Sequence, residues 1–305
     1  MKKIDINKLK KITKLHLEYC KNLRPEIIQG KRKSINDELI KLLCCEYPFD
    51  FNKPEHNYLK DAYMEFYSKS DVYNGRNIDY SVQYKKFRSE NNGPWNGVAL
   101  LKTLDVNICP YCGMNYITSV NKKNGKIKTI ASLDHYLPKN KYPFLAMNIY
   151  NLIPSCTNCN SIFKYQEEDA VIYPFYEALE DSITFSLKDA NALINTIINL
   201  QIDTVAEIEI LPKKYHSPEY YERLQNHIKI LALEERYNNF QNIAKSLIKK
   251  RYIYNGSCLE KIEKLTNLTK MQLENLLIKQ DLLSNDEIFL KFKKDIWNQL
   301  SRYNK

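Results

Sequence analysis

Cys109-Pro110-Tyr111-Cys112 and Cys156-Thr157-Asn158-Cys159 are two CxxC turns separated by residues 113–155. Each turn can present two thiolates to one ion with little strain, so together they suit a tetrahedral structural zinc held by Cys109, Cys112, Cys156 and Cys159. The segment between them is longer than in a simple zinc finger and can hold a functional insert. The chain has eight cysteines, and it reads as cytoplasmic, where thiols stay reduced; metal chemistry therefore comes before disulfides. A redox dithiol is the alternative. It needs one CxxC at a helix start behind a buried strand, and it leaves the second pair unexplained.

Inside that loop the pattern changes to short runs separated by turns. Tyr116 to Val120, a polar turn at Asn121 to Gly125, and Ile127 to Leu133 predict a hairpin leading into Asp134-His135. The loop then runs Leu133-Asp134-His135-Tyr136-Leu137-Pro138-Lys139. It ends on Asn151-Leu152-Ile153-Pro154-Ser155, followed after the second knuckle by Asn160-Ser161-Ile162-Phe163-Lys164. His135 offers a neutral imidazole near pH 7, which is competent to deprotonate a water. If both lie on one strand, Asp134 and His135 point to opposite faces, although a strand end can bend. Lys164 follows Asn160 by four residues and shares its face on a helix. A cation there could contact a phosphate under attack.

These residues, in this order, resemble the HNH nuclease family in its zinc-knuckle variety. The likeness covers roughly a fifth of the chain. It implies an α+β, mainly helical protein with a small zinc-stapled ββα-metal core embedded between helical regions. It also implies roles: His135 on the attacking water, Asp134 and Asn160 on a catalytic Mg²⁺ or Mn²⁺, Asn151 bracing the loop between strands. Many relatives carry His where Asn160 stands, and an oxygen ligand there favours Mg²⁺ or Mn²⁺ over softer ions. Lys139 and Lys141 could hold neighbouring phosphates of a DNA substrate, or be solvated surface lysines. The stretch from His135 to Lys164 is most similar to HNH effectors of bacterial anti-phage defence, of the kind found in Septu and retron-associated systems. Those work beside an ABC-type or AAA-type ATPase, so a separate ATPase partner is expected.

Working outward, residues 1–104 read as an N-terminal helical region, 105–170 as the nuclease core, and 171–305 as a mixed and then helical region. Apolar residues recur at helical spacing from Ile4 to Cys45, predicting two helices broken near Arg24-Pro25. Further helices are predicted over Asn57 to Ser68 and Asn96 to Thr103. Val171 to Phe175, Ile183 to Leu187 and Val205 to Leu211 read as strands. Ser217-Pro218-Glu219 is a helix start, a capping side chain followed by proline at the first helical position. Two or three helices should follow, with a break near Asn255-Gly256.

The formal net charge is +10, and the basic excess lies at the two ends of the chain. Such a field favours a nucleic-acid partner, although solvated helix faces produce the same count. No apolar stretch is long enough to span a bilayer, and the N-terminus lacks a signal-peptide hydrophobic block. There is no GxxxxGK[ST] loop, so ATP dependence would have to come from the partner. No helix-turn-helix signature is present, which makes sequence specificity low or borrowed. His16, His56, His216 and His227 read as surface or core imidazoles, and Cys20, Cys44, Cys45 and Cys258 as buried small side chains. Tyr252 and Tyr254, near Lys249, Lys250 and Arg251, read as core aromatics before nucleic-acid stackers. A zinc-stabilised adaptor without catalysis, an RNase, and a restriction or homing nuclease remain as alternatives.

Overall fold

The computed structural model describes residues 3–21, 81–88, 93–121, 127–140, 145–165, 167, 171–190, 207–213, 217–279 and 287–303. The helices predicted between residues 25 and 45 and over 57–68 lie outside the described residues. Lys141, Cys44, Cys45, His56 and His216 do too.

Among the described residues three helices precede the knuckles: α1 (Ile6–Lys21), α2 (Ser81–Arg88) and α3 (Gly97–Leu104). In α1 the buried residues Leu9, Ile12, His16 and Cys20 fall at helical spacing on one face. The α3 start is set by Asn96, whose side chain accepts from the backbone N–H groups of Val98 and Ala99. Helix α3 stops at Asp105, held in the left-handed region at φ 52°. The helix predicted over Asn96 to Thr103 is thus present, shifted by one residue.

Past the first knuckle come β1 (Ser119–Asn121) and β2 (Ile127–Thr129), which pair antiparallel. The run predicted as one strand from Ile127 to Leu133 is split. At the break the Ala131 N–H turns to the Thr129 hydroxyl at 3.0 Å. The chain then changes partner: β3 (Ser132–His135) pairs antiparallel with β4 (Leu152–Ser155), with Asp134 opposite Ile153 and His135 opposite Leu152. A helical segment, Asn158–Lys164, follows β4 directly with wide, π-type hydrogen bonding. The order is therefore strand, strand, helix.

The second half holds α4 (Leu179–Ser182), β5 (Ile183–Leu187) and β6 (Ile208–Pro212). Five α-helices follow among the described residues: α5 (Pro218–Ile230), α6 (Leu233–Asn238), α7 (Gln241–Ile253), α8 (Gly256–Leu265) and α9 (Lys270–Glu274). A last helix, α10 (Leu290–Leu300), completes the described set. Ser217 caps α5 through the Tyr220 N–H, with proline at the predicted position. Asn255 both breaks the chain after α7 and caps α8. The C-terminal helices are more numerous and shorter than the two or three predicted.

Strands β5 and β6 form an antiparallel ribbon whose outer edges, among the described residues, are closed by side chains. Asp295 and Gln299 of α10 accept from the N–H groups of Phe185 and Leu187, at 2.9 and 2.8 Å. On the other edge Asn238 and Glu234 accept from Ile208 and Ile210, both at 2.8 Å. This satisfies donors that would otherwise be exposed at a sheet edge.

Val171 to Phe175, predicted as a strand, is a buried irregular segment with a turn. Its backbone groups find other partners. Val171 O accepts from the Tyr136 hydroxyl at 2.6 Å, Tyr173 N–H donates to Glu177 at 2.7 Å, and Pro174 O accepts from Ile4 N–H at 2.8 Å. Burial on all sides produced the apolar run without any ladder.

One buried cluster joins these parts, running from Ile4 and Leu9 through Cys109, Leu133 and Ile153 to Phe185, Phe292 and Leu300. No helix among the described residues is long and apolar enough to cross a membrane.

Candidate metal centre and the hairpin beside it

The two knuckles meet. Cys109, Cys112, Cys156 and Cys159 are all buried, and their sulfur atoms lie within 4.8 Å of one another. None is in a disulfide, and Cys112 Sγ is 3.9 Å from Cys156 Sγ, far beyond an S–S bond. A tetrahedron with Zn–S of about 2.3 Å has an edge of roughly 3.8 Å, so this spacing fits a zinc ion. Backbone N–H groups point at the sulfurs: Cys156 to Cys109 at 3.4 Å, Met114 to Cys112 at 3.5 Å, and Cys159 to Cys156 at 3.5 Å. The Asn115 amide adds donors to Cys112 at 3.7 Å and Cys156 at 3.5 Å. The first knuckle closes with Gly113 N–H on Cys109 O at 2.9 Å, and Gly113 sits at φ 67°, a conformation open to glycine.

Four thiols this close cannot all ionise without a cation. Burial pushes the Cys109 thiol well up, whereas hydrogen bonds from Cys109 and the other cysteines hold Cys112 well below the usual thiol range. A divalent ion such as zinc would resolve the conflict, with Cys109, Cys112, Cys156 and Cys159 holding it as thiolates. Among the described residues these four form the one cluster of three or more Cys, His, Asp or Glu side chains able to hold a metal.

Asp134 lies buried on β3 beside this centre. Its Oδ2 accepts from the Tyr111 hydroxyl at 2.8 Å, and Tyr111 is the third residue of the first knuckle. Lys164 Nζ stands 3.2 Å from Oδ2 and 3.3 Å from Oδ1, and it also donates to His135 O at 2.9 Å. Lys164 is only 1% exposed. It was expected as a cation facing a phosphate. The π-type turn of Asn158–Lys164 instead carries it inward, where it neutralises Asp134.

His135 is half-buried at the end of β3. Its Nε2 lies 3.0 Å from Ala146 O; a carbonyl only accepts, so Nε2 carries the hydrogen and Nδ1 is the basic nitrogen. The ring packs edge-on against Tyr84, with centroids 4.4 Å apart, and Tyr84 is fixed by its hydroxyl on Leu133 O at 2.8 Å. Burial lowers the His135 pKa to about 3, so the imidazole is neutral at pH 7. Lys139 Nζ lies 5.3 Å from the centre of the Tyr84 ring.

Asn151 closes the loop that follows β3. Its Oδ1 accepts from Leu137 N–H at 2.7 Å, and its Nδ2 donates to Leu137 O and Leu145 O, each at 3.1 Å. Asn160, half-buried, is held through its backbone by Cys156 O at 3.0 Å and Tyr165 N–H at 3.1 Å. Its side chain has no hydrogen-bond partner among the described residues.

The structure thus joins Asp134, Lys164 and Tyr111 directly, and links His135 to them through its backbone carbonyl. The imidazole itself faces Ala146 and Tyr84, as alternation along a strand dictates. Tyr111, Tyr84 and Asn115 were not foreseen as site residues. Tyr111 had a signal, its place inside CxxC; Tyr84, far upstream, had none. Of the remaining single residues, His16 and His227 are buried, Cys20 is buried, and Cys258 is half-buried rather than buried. Tyr252 is 52% exposed, against the expected core placement, whereas Tyr254 packs partly buried on the core.

Comparison with protein-family models, with characterised proteins and with solved structures returned no match.

Proposed function

We propose that the chain is a zinc-stapled phosphodiesterase of the HNH kind, cutting DNA as the effector of an anti-phage system that includes a separate ATPase. The observation that carries this reading is the closure of hairpin and helix on one another. Lys164, on the helix launched by the second knuckle, reaches Asp134 and the carbonyl of His135 on β3. A zinc-bound tetrad would hold both elements in place. The neutral imidazole, with Nε2 committed to Ala146 O, leaves Nδ1 as the atom that takes a proton from water. Burial lowers the pKa and weakens that base, so activity at neutral pH calls for a substrate whose binding opens the surroundings of His135 to water.

In this arrangement the Asp134 carboxylate is not free to receive a catalytic Mg²⁺ or Mn²⁺. Asp134 already receives Lys164 and Tyr111, and a divalent ion at Asp134 and Asn160 would have to replace the ammonium. The same pairing favours a second reading, a zinc module that serves as a binding adaptor with Asp134 and Lys164 as internal braces. One experiment separates them. Zinc-loaded protein is offered plasmid, linear DNA and tRNA with Mg²⁺ or Mn²⁺, alone and with any neighbouring ATPase, and compared with His135→Ala. Cleavage of DNA lost in the variant, with zinc and fold retained, supports the nuclease. Cleavage of tRNA alone makes it an RNase, and no cleavage by either form under all conditions leaves the adaptor.

A further inference from the structure

We infer that Arg236, far from both knuckles in sequence, is the charge-compensating residue of the metal centre and governs the reactivity of Cys159. Four thiolates and one Zn²⁺ leave a double negative charge in a buried site. Neutral N–H groups serve Cys109, Cys112 and Cys156. Cys159 instead receives Arg236 Nη1 at 3.5 Å. Among the described residues this is the one charged donor to the tetrad.

The guanidinium is held in place from two further sides. Nη1 also donates to Leu231 O at 3.1 Å, and the guanidinium carbon lies 4.4 Å from the centre of the Phe163 ring, on the helix that follows the second knuckle. The local backbone is shaped to deliver it. Between α5 and α6, Ala232 takes φ 45°, an unfavourable left-handed conformation for a residue with a Cβ. Beyond that bend, Arg236 turns to Cys159 and Tyr237 donates through its hydroxyl to Cys112 O at 2.8 Å. Just before it, His227 Nε2 meets Tyr111 O at 2.9 Å. The strained bend thus places α5 and α6 as a clamp on the metal centre, with Arg236 supplying its charge.

A charge-assisted N–H···S bond draws electron density from the sulfur and lowers its nucleophilicity. Removing it should loosen the ion and expose Cys159 in particular to electrophiles. The test uses zinc-loaded full-length protein and the variants Arg236→Met, Arg236→Gln and Arg236→Lys. Zinc affinity is measured by competition with a chromophoric chelator, and alkylation by iodoacetamide is mapped cysteine by cysteine by mass spectrometry. The expected result is a loss of zinc affinity of about 10- to 100-fold in the Met and Gln variants. The Lys variant should be milder, and the rise in alkylation should be selective for Cys159. Unchanged affinity with unchanged alkylation overturns the inference, and so does a uniform rise at all four cysteines, which a merely loosened fold would give. If the Met variant does not fold, the Lys variant carries the same test. Parent protein that binds no zinc removes the metal reading itself, a different failure from zinc-loaded protein indifferent to Arg236.

Discussion

Replacing Lys164 with methionine removes one partner of a buried ion pair whose atoms lie 3.2 and 3.3 Å apart. At 3.2 Å two unit charges attract by roughly 5 kcal/mol in an effective dielectric of about 20. Much of that offsets the cost of taking both groups out of water. The single change therefore strands a carboxylate with the Tyr111 hydroxyl alone, and should cost about 3 to 5 kcal/mol of stability. Asp134→Asn strands the ammonium in the same way. The double variant removes both charges, and its cost should be close to that of one single change, leaving a coupling energy as large as one single cost, about 3 to 5 kcal/mol. The assay is urea unfolding of zinc-loaded protein at pH 7, with equal slopes required across the four forms. Additive costs, with coupling below about 0.5 kcal/mol, would refute the pairing. They would free Asp134 to be a metal ligand in the resting state.

Three other outcomes follow from the same contacts. Chelation of zinc, or Cys156→Ser, should lower the unfolding temperature markedly, because ion binding contributes folding energy; circular dichroism melts unchanged by chelator would contradict it. Asn151→Ala removes three hydrogen bonds around Leu137 and Leu145 and should cost about 2 to 4 kcal/mol, read from denaturant midpoints. His16 accepts from Trp95 Nε1 at 3.1 Å and donates through Nε2 to Met147 O at 2.6 Å. A second ring proton would face the indole N–H, and burial lowers the pKa from 6.5 to about 4. The unfolded chain thus takes up the proton first. The stability His16 contributes is full above pH 6.5 and is lost as pH falls towards 4, at up to about 1.4 kcal/mol per pH unit. The stability gap between the parent and His16→Gln should narrow by about 2 kcal/mol from pH 7 to pH 5; a constant gap would falsify the neutral assignment.

What could be read from sequence was local. The CxxC spacing fixed the tetrad, because ligand geometry is set within each turn. Ser217 announced its helix, because capping is a contact over two or three residues, whereas the caps made by Asn96 and Asn255 emerge only in the structure. Ile183 to Leu187 showed its alternation because one face of β5 is buried and the other partly open. Long-range partners were out of reach. The inward turn of Lys164 depends on π-type winding that no periodicity encodes, and the run Val171 to Phe175 is apolar because it is enclosed, not because it pairs. Arg236 carried no signal in the sequence, and the bend at Ala232 brings it to Cys159.

X-ray absorption at the zinc edge of the purified chain tests the centre on which hairpin, helix and clamp depend. One zinc per chain, surrounded by four sulfur atoms at about 2.3 Å, is the predicted result. A first shell containing nitrogen or oxygen, or protein that folds identically with no metal, would contradict it.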